Sequence, residues 1–470
     1  MKNKKNKWIK LCVCIVVGLI IWNLPIPAHV IPKAWHLLAI FVATIIGFIL
    51  QPFPIGVVTF IAVTLSSLLG ILKPADALSS FSNTTVWLII SAFLFSRGFI
   101  KTGLGKRVAY MLMSKFGDSS LKLGYTLAIS DLIISPCIPS NTARAGGIMF
   151  PIVCSLADVF KSKPGPTAKK IGAYLIQTVY QSDLSASAMT ITAMSGNVLI
   201  VNFAATVIGL KLTWGMWALT AIVPALISTI IIPYFLYKYF PPEIKKTPES
   251  KEMALKELKS MGSITFQEKT LLVIFLVSIL SWATSQFTNL DSTIIAMAAV
   301  SIMLLSNVIN WSDLLSEKNA WDAMIWMGGI LGLANNLSNL KIFNVFAQAV
   351  KSRIVGVPWV LALIILLLIY AFSTYAFASG IAHIVAMYPV FLSVAVASGA
   401  PPYLAAFAFG FASALYQGLT HYASGPSAIF FSAGYIEQKT WWRVGLVVFL
   451  VNIVIWGVSG VMWWKVLGLW

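Results

Sequence analysis

The sequence predicts an all-α polytopic membrane protein of about 11 transmembrane helices plus two re-entrant helical hairpins, arranged as two inverted repeats. Composition is the first reason. Of 470 residues, 59% are hydrophobic and only 10% charged, with a mean hydropathy of +0.86, whereas a soluble domain carries about 25% charged residues. The second reason is a series of apolar runs, each near the roughly 20 residues that cross a bilayer core. The third is a weak internal repeat.

The apolar runs are Trp8 to Leu24, Lys33 to Leu50, Pro54 to Leu72, Thr84 to Met113, Ile171 to Gly209, Thr213 to Phe240, Thr270 to Phe287, Asp291 to Ile309, Trp321 to Val350, Pro402 to Tyr435 and Trp441 to Trp464. Two further apolar segments, 121–160 and 358–398, are left over. The net charge of +18 is explained by basic loops beside a membrane, so no nucleic-acid partner is expected. Residues 1–32 read as a signal anchor with a cytoplasmic N-terminus, because Met1 to Lys10 holds five lysines and no small-residue cleavage site follows. The polar stretch 241–269 reads as a cytoplasmic linker between a first repeat, 33–240, and a second, 270–470. Six spans precede it, which agrees with an inside N-terminus. Lys351 and Arg353 would then face outward, against the positive-inside rule. Cys12, Cys14, Cys137 and Cys154 lie in apolar stretches without metal-ligand spacing, so they read as small core residues outside any disulfide.

A shift of 239 positions sets Thr85-Val86-Trp87-Leu88 on Met324-Ile325-Trp326-Met327, and Pro139 to Arg144 on Ala378 to His383. A shift of 236 sets Tyr180-Gln181 on Tyr416-Gln417. Five spans and one leftover segment per half make an odd number of crossings, which inverts the second half. The leftover segments then read as hairpins opening from opposite sides, with polar tips at Ser140 and Ser379 near mid-membrane, where inverted-repeat transporters hold their cargo.

Irregular backbone at membrane depth needs protein around it or an aqueous cavity beside it. Ser140, Asn141 and Thr142 are helix-capping types, and free amides at helix N-termini attract anions. The tips, with spans broken near Ser185 to Thr190 and near His421 to Ser427, are therefore candidate anion contacts. A plain helix cap or loop remains the alternative at each. The candidate set is Ser140, Asn141, Thr142, Ser379, Gly380, Ile381, Thr190, Ser424, Gly425 and Pro426. Arg144 is a further candidate because a charge in apolar surroundings needs water, a ligand or a partner. Asp131, Asp158 and Asp183 are its possible structural partners. His383 and His421 read either as site groups or as hydrogen-bonded core histidines. The pairs Trp441-Trp442 and Trp463-Trp464 read as interfacial anchors.

At Ser140-Asn141-Thr142, at Leu419 to Pro426, at Phe431 to Tyr435 and at Lys439 to Arg443, the sequence resembles the divalent anion/sodium symporter family. This group includes INDY-type dicarboxylate transporters, citrate:succinate antiporters and plastid 2-oxoglutarate/malate translocators. The resemblance spans nearly the whole chain, and the Leu419 to Pro426 stretch is similar to the antiporter-like branch. It implies that the hairpin tips bind a dicarboxylate, that the protein is a homodimer in the lipid bilayer, and that a transport domain moves as an elevator. At the second tip Ser379-Gly380-Ile381 replaces the Ser-Asn-Thr of sodium-coupled members. That departure points to sodium-independent exchange of 2-oxoglutarate, malate or succinate, with Arg144, His383 and His421 compensating substrate charge. The competing expectation is a sodium-coupled dicarboxylate symporter. An enzyme is disfavoured, since H-E-x-x-H, G-x-S-x-G and G-x-x-x-x-G-K-[ST] are absent from the sequence. No cofactor and no metal ligand set is expected, and the location is a bacterial plasma membrane.

Overall fold

The computed structural model describes residues 2–27, 30–343, 345 and 357–470, and Lys351 and Arg353 lie outside the described residues. The described residues are helical, and their β-structure is one isolated bridge, Ser119 to Lys246. Nine described helices are long and apolar enough to cross a membrane, and three apolar helices are shorter: Ile55–Leu68, Ser195–Ile208 and Ser292–Leu305. The chain is a multi-pass integral membrane protein. The difference from eleven uninterrupted runs comes from breaks. Thr84 to Met113 is divided at Gly103, whose φ of +77° suits a residue without Cβ, into helices Thr84–Thr102 and Leu104–Phe116.

Two compact units form, each from pieces of both sequence halves. The first holds residues 1–90, 198–212 and 318–410. Its N-terminal helices Lys2–Asn23 and Pro32–Leu50 pack side by side. Trp35 Nε1 donates to Ile21 O at 2.8 Å, and the Trp22 and His36 rings stack 4.0 Å apart. The segment expected to form the second hairpin lies in this unit as helix Trp359–Phe372, a 3₁₀ turn Ser373–Ala376, a break at Phe377 and helix Gly380–Ala397.

The second unit holds 91–197, 213–317 and 411–470. The segment expected to form the first hairpin lies here and shows the same order, with helix Ser120–Ile134, a 3₁₀ turn Ser135–Cys137, a break, a π-helical segment Thr142–Met149 and helix Phe150–Val159. Pro151 explains the π register, since it has no N–H for a carbonyl one turn earlier and its ring crowds that turn. The hairpin arms Thr142–Val159, Trp359–Ala376 and Gly380–Ala397 are each 18 residues long and apolar enough to span, so length alone does not distinguish re-entry from crossing.

The polar stretch after Tyr239 is docked against this unit. Helix Pro248–Ser260 packs on Leu104–Phe116. Thr247 Oγ1 donates to Gly117 O at 3.0 Å, Ser250 Oγ also donates to Gly117 O, and Ser120 N donates to Lys245 O at 3.0 Å. At its end Arg107 clamps Glu268, Nε to Oε1 at 2.6 Å, and donates to Gly262 O. Both side chains are buried, and the paired geometry offsets the cost of removing them from water.

Candidate functional site

The first tip is built by a serine cap. Ser140 Oγ accepts from Ala143 N at 3.1 Å and Ser140 O accepts from Arg144 N at 2.9 Å. Asn141 is already in helical conformation, with φ −56° and ψ −29°, so Ser140 alone performs the capping. Asn141 and Thr142, both half-buried, keep their side chains available to a ligand.

The break in the second half meets this tip. Helix Pro402–Leu415 ends in a 3₁₀ turn Tyr416–Leu419, the chain is extended at Thr420, and helix Gly425–Ser432 begins after Ser424. Ser424 and Ser427 form a reciprocal cap, with Ser427 N donating to Ser424 Oγ at 3.3 Å and Ser424 N to Ser427 Oγ at 3.0 Å. Gly425, Pro426 and Ser427 therefore lie in the first helical turn, and the irregular backbone precedes them. A Cβ placed on Gly425 would stand 2.1 Å from Thr142 Oγ1 and 2.9 Å from its Cγ2. Two helix N-termini thus converge at Thr142 and Gly425. Together they present amide hydrogens, hydroxyls and the Asn141 amide on a half-exposed surface, a donor set suited to a carboxylate.

The break in the first half lies at Thr190 to Met194, later than the expected Ser185 to Thr190, because Gly172–Met189 is continuous helix. Thr190 is buried in extended conformation, and its carbonyl accepts from Asn197 Nδ2 at 2.8 Å. Its hydroxyl is buried and has no hydrogen-bond partner among the described residues. Ser195 N donates to Pro139 O at 2.9 Å and ties the break to the tip. Trp214 Nε1 donates to Thr192 Oγ1 at 3.0 Å, and Trp217 Nε1 to Ala188 O at 2.9 Å.

Arg144 joins these pieces. It is fully buried, and all five N–H groups have acceptors: Asp131 Oδ1 at 2.9 Å on Nε, Ile138 O at 3.0 Å and Ala193 O at 2.7 Å on Nη1, Asp183 Oδ1 at 2.7 Å and Ser187 Oγ at 2.8 Å on Nη2. The guanidinium fork satisfies one orphan carbonyl of the tip and one of the break, as irregular backbone away from water requires. This corrects the expectation that Arg144 presents an open charge to substrate. Two of its three candidate partners, Asp131 and Asp183, take the charge, while Asp158 pairs on the surface with Lys163 at 2.5 Å.

Each histidine is hydrogen-bonded within the protein, and for His383 full burial corrects the expectation of a site group. His421 Nδ1 accepts from Trp442 Nε1 at 3.0 Å, so that nitrogen carries no proton, and the ring packs 4.4 Å from Phe431. His383 is fully buried in the other unit, with Nε2 2.9 Å from Tyr370 O and 2.7 Å from Ser373 Oγ. His383 is thus a hydrogen-bonded core histidine, while His421 is hydrogen-bonded and half-buried. Trp441 and Trp464 likewise differ from interfacial anchors. Trp441 is buried 5.1 Å from the Tyr180 ring, and Trp464 donates to Thr220 O at 2.9 Å. At the second tip Ser379 Oγ accepts from Ala382 N at 3.4 Å, Gly380 is buried and Ile381 is half-buried.

Sequence reasoning missed Ser187, Asn197 and the part played by Tyr180, whose hydroxyl donates to Gln417 O at 2.6 Å. The matching of Tyr180-Gln181 with Tyr416-Gln417 was the signal for that last contact.

Residues 5–470 match the family described as the sodium:sulfate symporter transmembrane region. The chain belongs to this divalent anion/sodium symporter family of membrane transporters. It is 48% identical over its full length, and over 98% of the relative, to the Bacillus subtilis protein named "Putative malate transporter YflS". It is 41% identical to the chloroplastic Dicarboxylate transporter 1 of Spinacia oleracea, over 97% of this chain and 81% of that one. Over 99% of this chain and 98% of the relative it is 38% identical to the Escherichia coli inner membrane protein YbhI. The fold is similar to the Alcanivorax borkumensis YdaH transporter, with TM-score 0.57 and 12% identity over 86% of this chain and 89% of that one. It is also similar to Neisseria gonorrhoeae MtrF, with TM-score 0.55 and 15% identity over 97% and 93%. These two likenesses concern the fold of membrane transporters.

Proposed function

We propose that this transporter carries dicarboxylates such as malate, succinate or 2-oxoglutarate across a bacterial plasma membrane by exchange, without sodium. The observation that carries the reading is the convergence of two capped helix N-termini at Thr142 and Gly425, which offers hydrogen-bond donors to an anionic ligand. The malate and dicarboxylate names of the full-length relatives support the substrate class. Asn141, Thr142, Ser424 and the Gly425 amide take one carboxylate. Ser379, Gly380 and Ile381 are a second candidate contact, to be tested by their own substitutions.

Sodium independence rests on the second tip. Sodium needs a cage of oxygens, and there Gly380 and Ile381 supply backbone oxygens where Asn and Thr side chains would add more. Arg144 is not part of it, since its charge is met inside the protein by Asp131 and Asp183. The reading carries with it an elevator-type movement, a homodimer, inverted repeats and a cytoplasmic N-terminus. Sodium-coupled symport is the second reading, favoured by the name of the matching family.

Purified protein in liposomes separates them. Labelled malate or succinate uptake should require internal dicarboxylate and be equal in sodium and potassium media. Uptake into liposomes lacking internal substrate, driven by a sodium gradient, would overturn exchange in favour of symport.

A further inference from the structure

We propose that Asp131 and Asp183 share one proton over Arg144, so that the cluster behind the first tip is a resident proton site without net charge. Each carboxylate gives its Oδ1 to the guanidinium, at 2.9 and 2.7 Å, and all three side chains are fully buried. Among the described residues, neither Asp131 Oδ2 nor Asp183 Oδ2 has a hydrogen-bond partner, and the two carboxyl groups meet at Nε and Nη2 of one guanidinium.

With both groups ionised, one cation would face two anions. A net charge of −1 would then be held away from water, with one oxygen of each carboxylate buried and without a donor. Each feature is costly. An uncompensated buried charge is expelled or neutralised, and paired carboxylates that share a site retain a proton on one of them. A single proton held by this pair supplies a missing donor and cancels the charge at once.

The neighbouring ionisable groups do not replace it. Tyr180, on the same helix as Asp183, donates its hydroxyl to Gln417 O. Cys137 sits on the 3₁₀ turn packed against that helix and is a neutral thiol when buried. His421 accepts from Trp442, and Asp158 is on the surface with Lys163. The consequence is mechanical as well as electrostatic. Arg144 holds Ile138 O and Ala193 O, so the proton lets a neutral clamp, rather than a charged one, fix the tip against the break.

Infrared spectroscopy of the purified full-length protein at neutral pH, without substrate, tests this independently of the dicarboxylate reading. The expected result is a protonated-carboxyl carbonyl band that shifts slowly in heavy water, because the group is buried. Asp131→Asn and Asp183→Asn should each remove it, and Asp158→Asn should leave it. A wild-type spectrum without the band would overturn the proposal, which is also the result if a metal cation sits between two ionised carboxylates. Persistence of the band in both folded Asn variants would overturn it as well. If those variants do not fold, carbon-13 aspartate incorporated into the wild type must shift the band, and an unshifted band rejects the assignment.

Discussion

At the first tip the residue four beyond the capping serine is Arg144, bonded to two carboxylates, a hydroxyl and two carbonyls. At the second tip it is His383, bonded through one nitrogen to Tyr370 O and Ser373 Oγ and packed against the Tyr370 and Phe377 rings. Both tips follow a helix, a 3₁₀ turn and a break, and both are capped by serine. The two segments therefore share a backbone device while the chemistry behind it differs. A guanidinium presents five donors in a plane, enough to gather a tip, a broken helix and two acids. An imidazole has two nitrogens, so the second tip is held by aromatic packing around a small neutral hydrogen-bond group.

The largest effect that would sharpen this contrast is Arg144→Ala. It strands two buried carboxyl groups and two carbonyls, and loss of a buried ionic partner costs about 3–5 kcal/mol. We expect little monodisperse protein and a strongly lowered melting temperature, with Arg144→Lys a poor substitute because an ammonium lacks the planar fork. His383→Ala should cost less, about 1–3 kcal/mol for its stranded polar partners, measured in the same melting assay. Equal losses at the two tips would break the comparison.

Gly425→Ala should next reduce dicarboxylate affinity tenfold or more, about 1.4 kcal/mol, since the added methyl occupies the space of Thr142 Oγ1. Ligand titration of the folded variant measures it. Asn141→Ala and Thr142→Ala should each weaken binding by about 0.5–1.5 kcal/mol, the net worth of one hydrogen bond, with melting temperature nearly unchanged. Unchanged affinity in the folded double variant would show that this tip is structural. The smallest effect compares the caps: Ser140→Ala and Ser379→Ala should each lower stability by about 1 kcal/mol. A clear difference would show that the shared backbone device is not equally stressed.

Much of the fold was legible because apolar runs and their polar interruptions are local. The serine caps and the approximate places of the breaks follow from residue types within a few positions of each other, whereas the docking of the polar segment rests on distant partners such as Gly117 and Ser120. The π register at Thr142–Met149 was not read, although Pro151 stood in plain view as its cause. At the candidate site, the tip was legible from Ser140-Asn141-Thr142 and the partner helix from Ser424-Gly425-Pro426, but their meeting at Thr142 and Gly425 depends on packing across most of the chain. Arg144 shows the limit well. A buried charge implies partners, yet choosing Asp131 and Asp183 over Asp158 requires knowing that the first two lie on helices facing inward while the third stands at a solvent-exposed end.

Gly425 also has a consequence in time. Everything that fixes the back of the first tip, from Asp131 through Arg144 and Asp183 to Ala193 and Asn197, leaves the ribosome early and can close within one stretch of chain. The glycine that covers its front arrives only near the end of synthesis. Such distant pairings are slow to form and leave their surfaces exposed meanwhile. The nascent protein therefore waits with a finished clamp and an uncovered face, and truncations that end before Gly425 should yield a chain that inserts yet engages quality-control factors at Thr142.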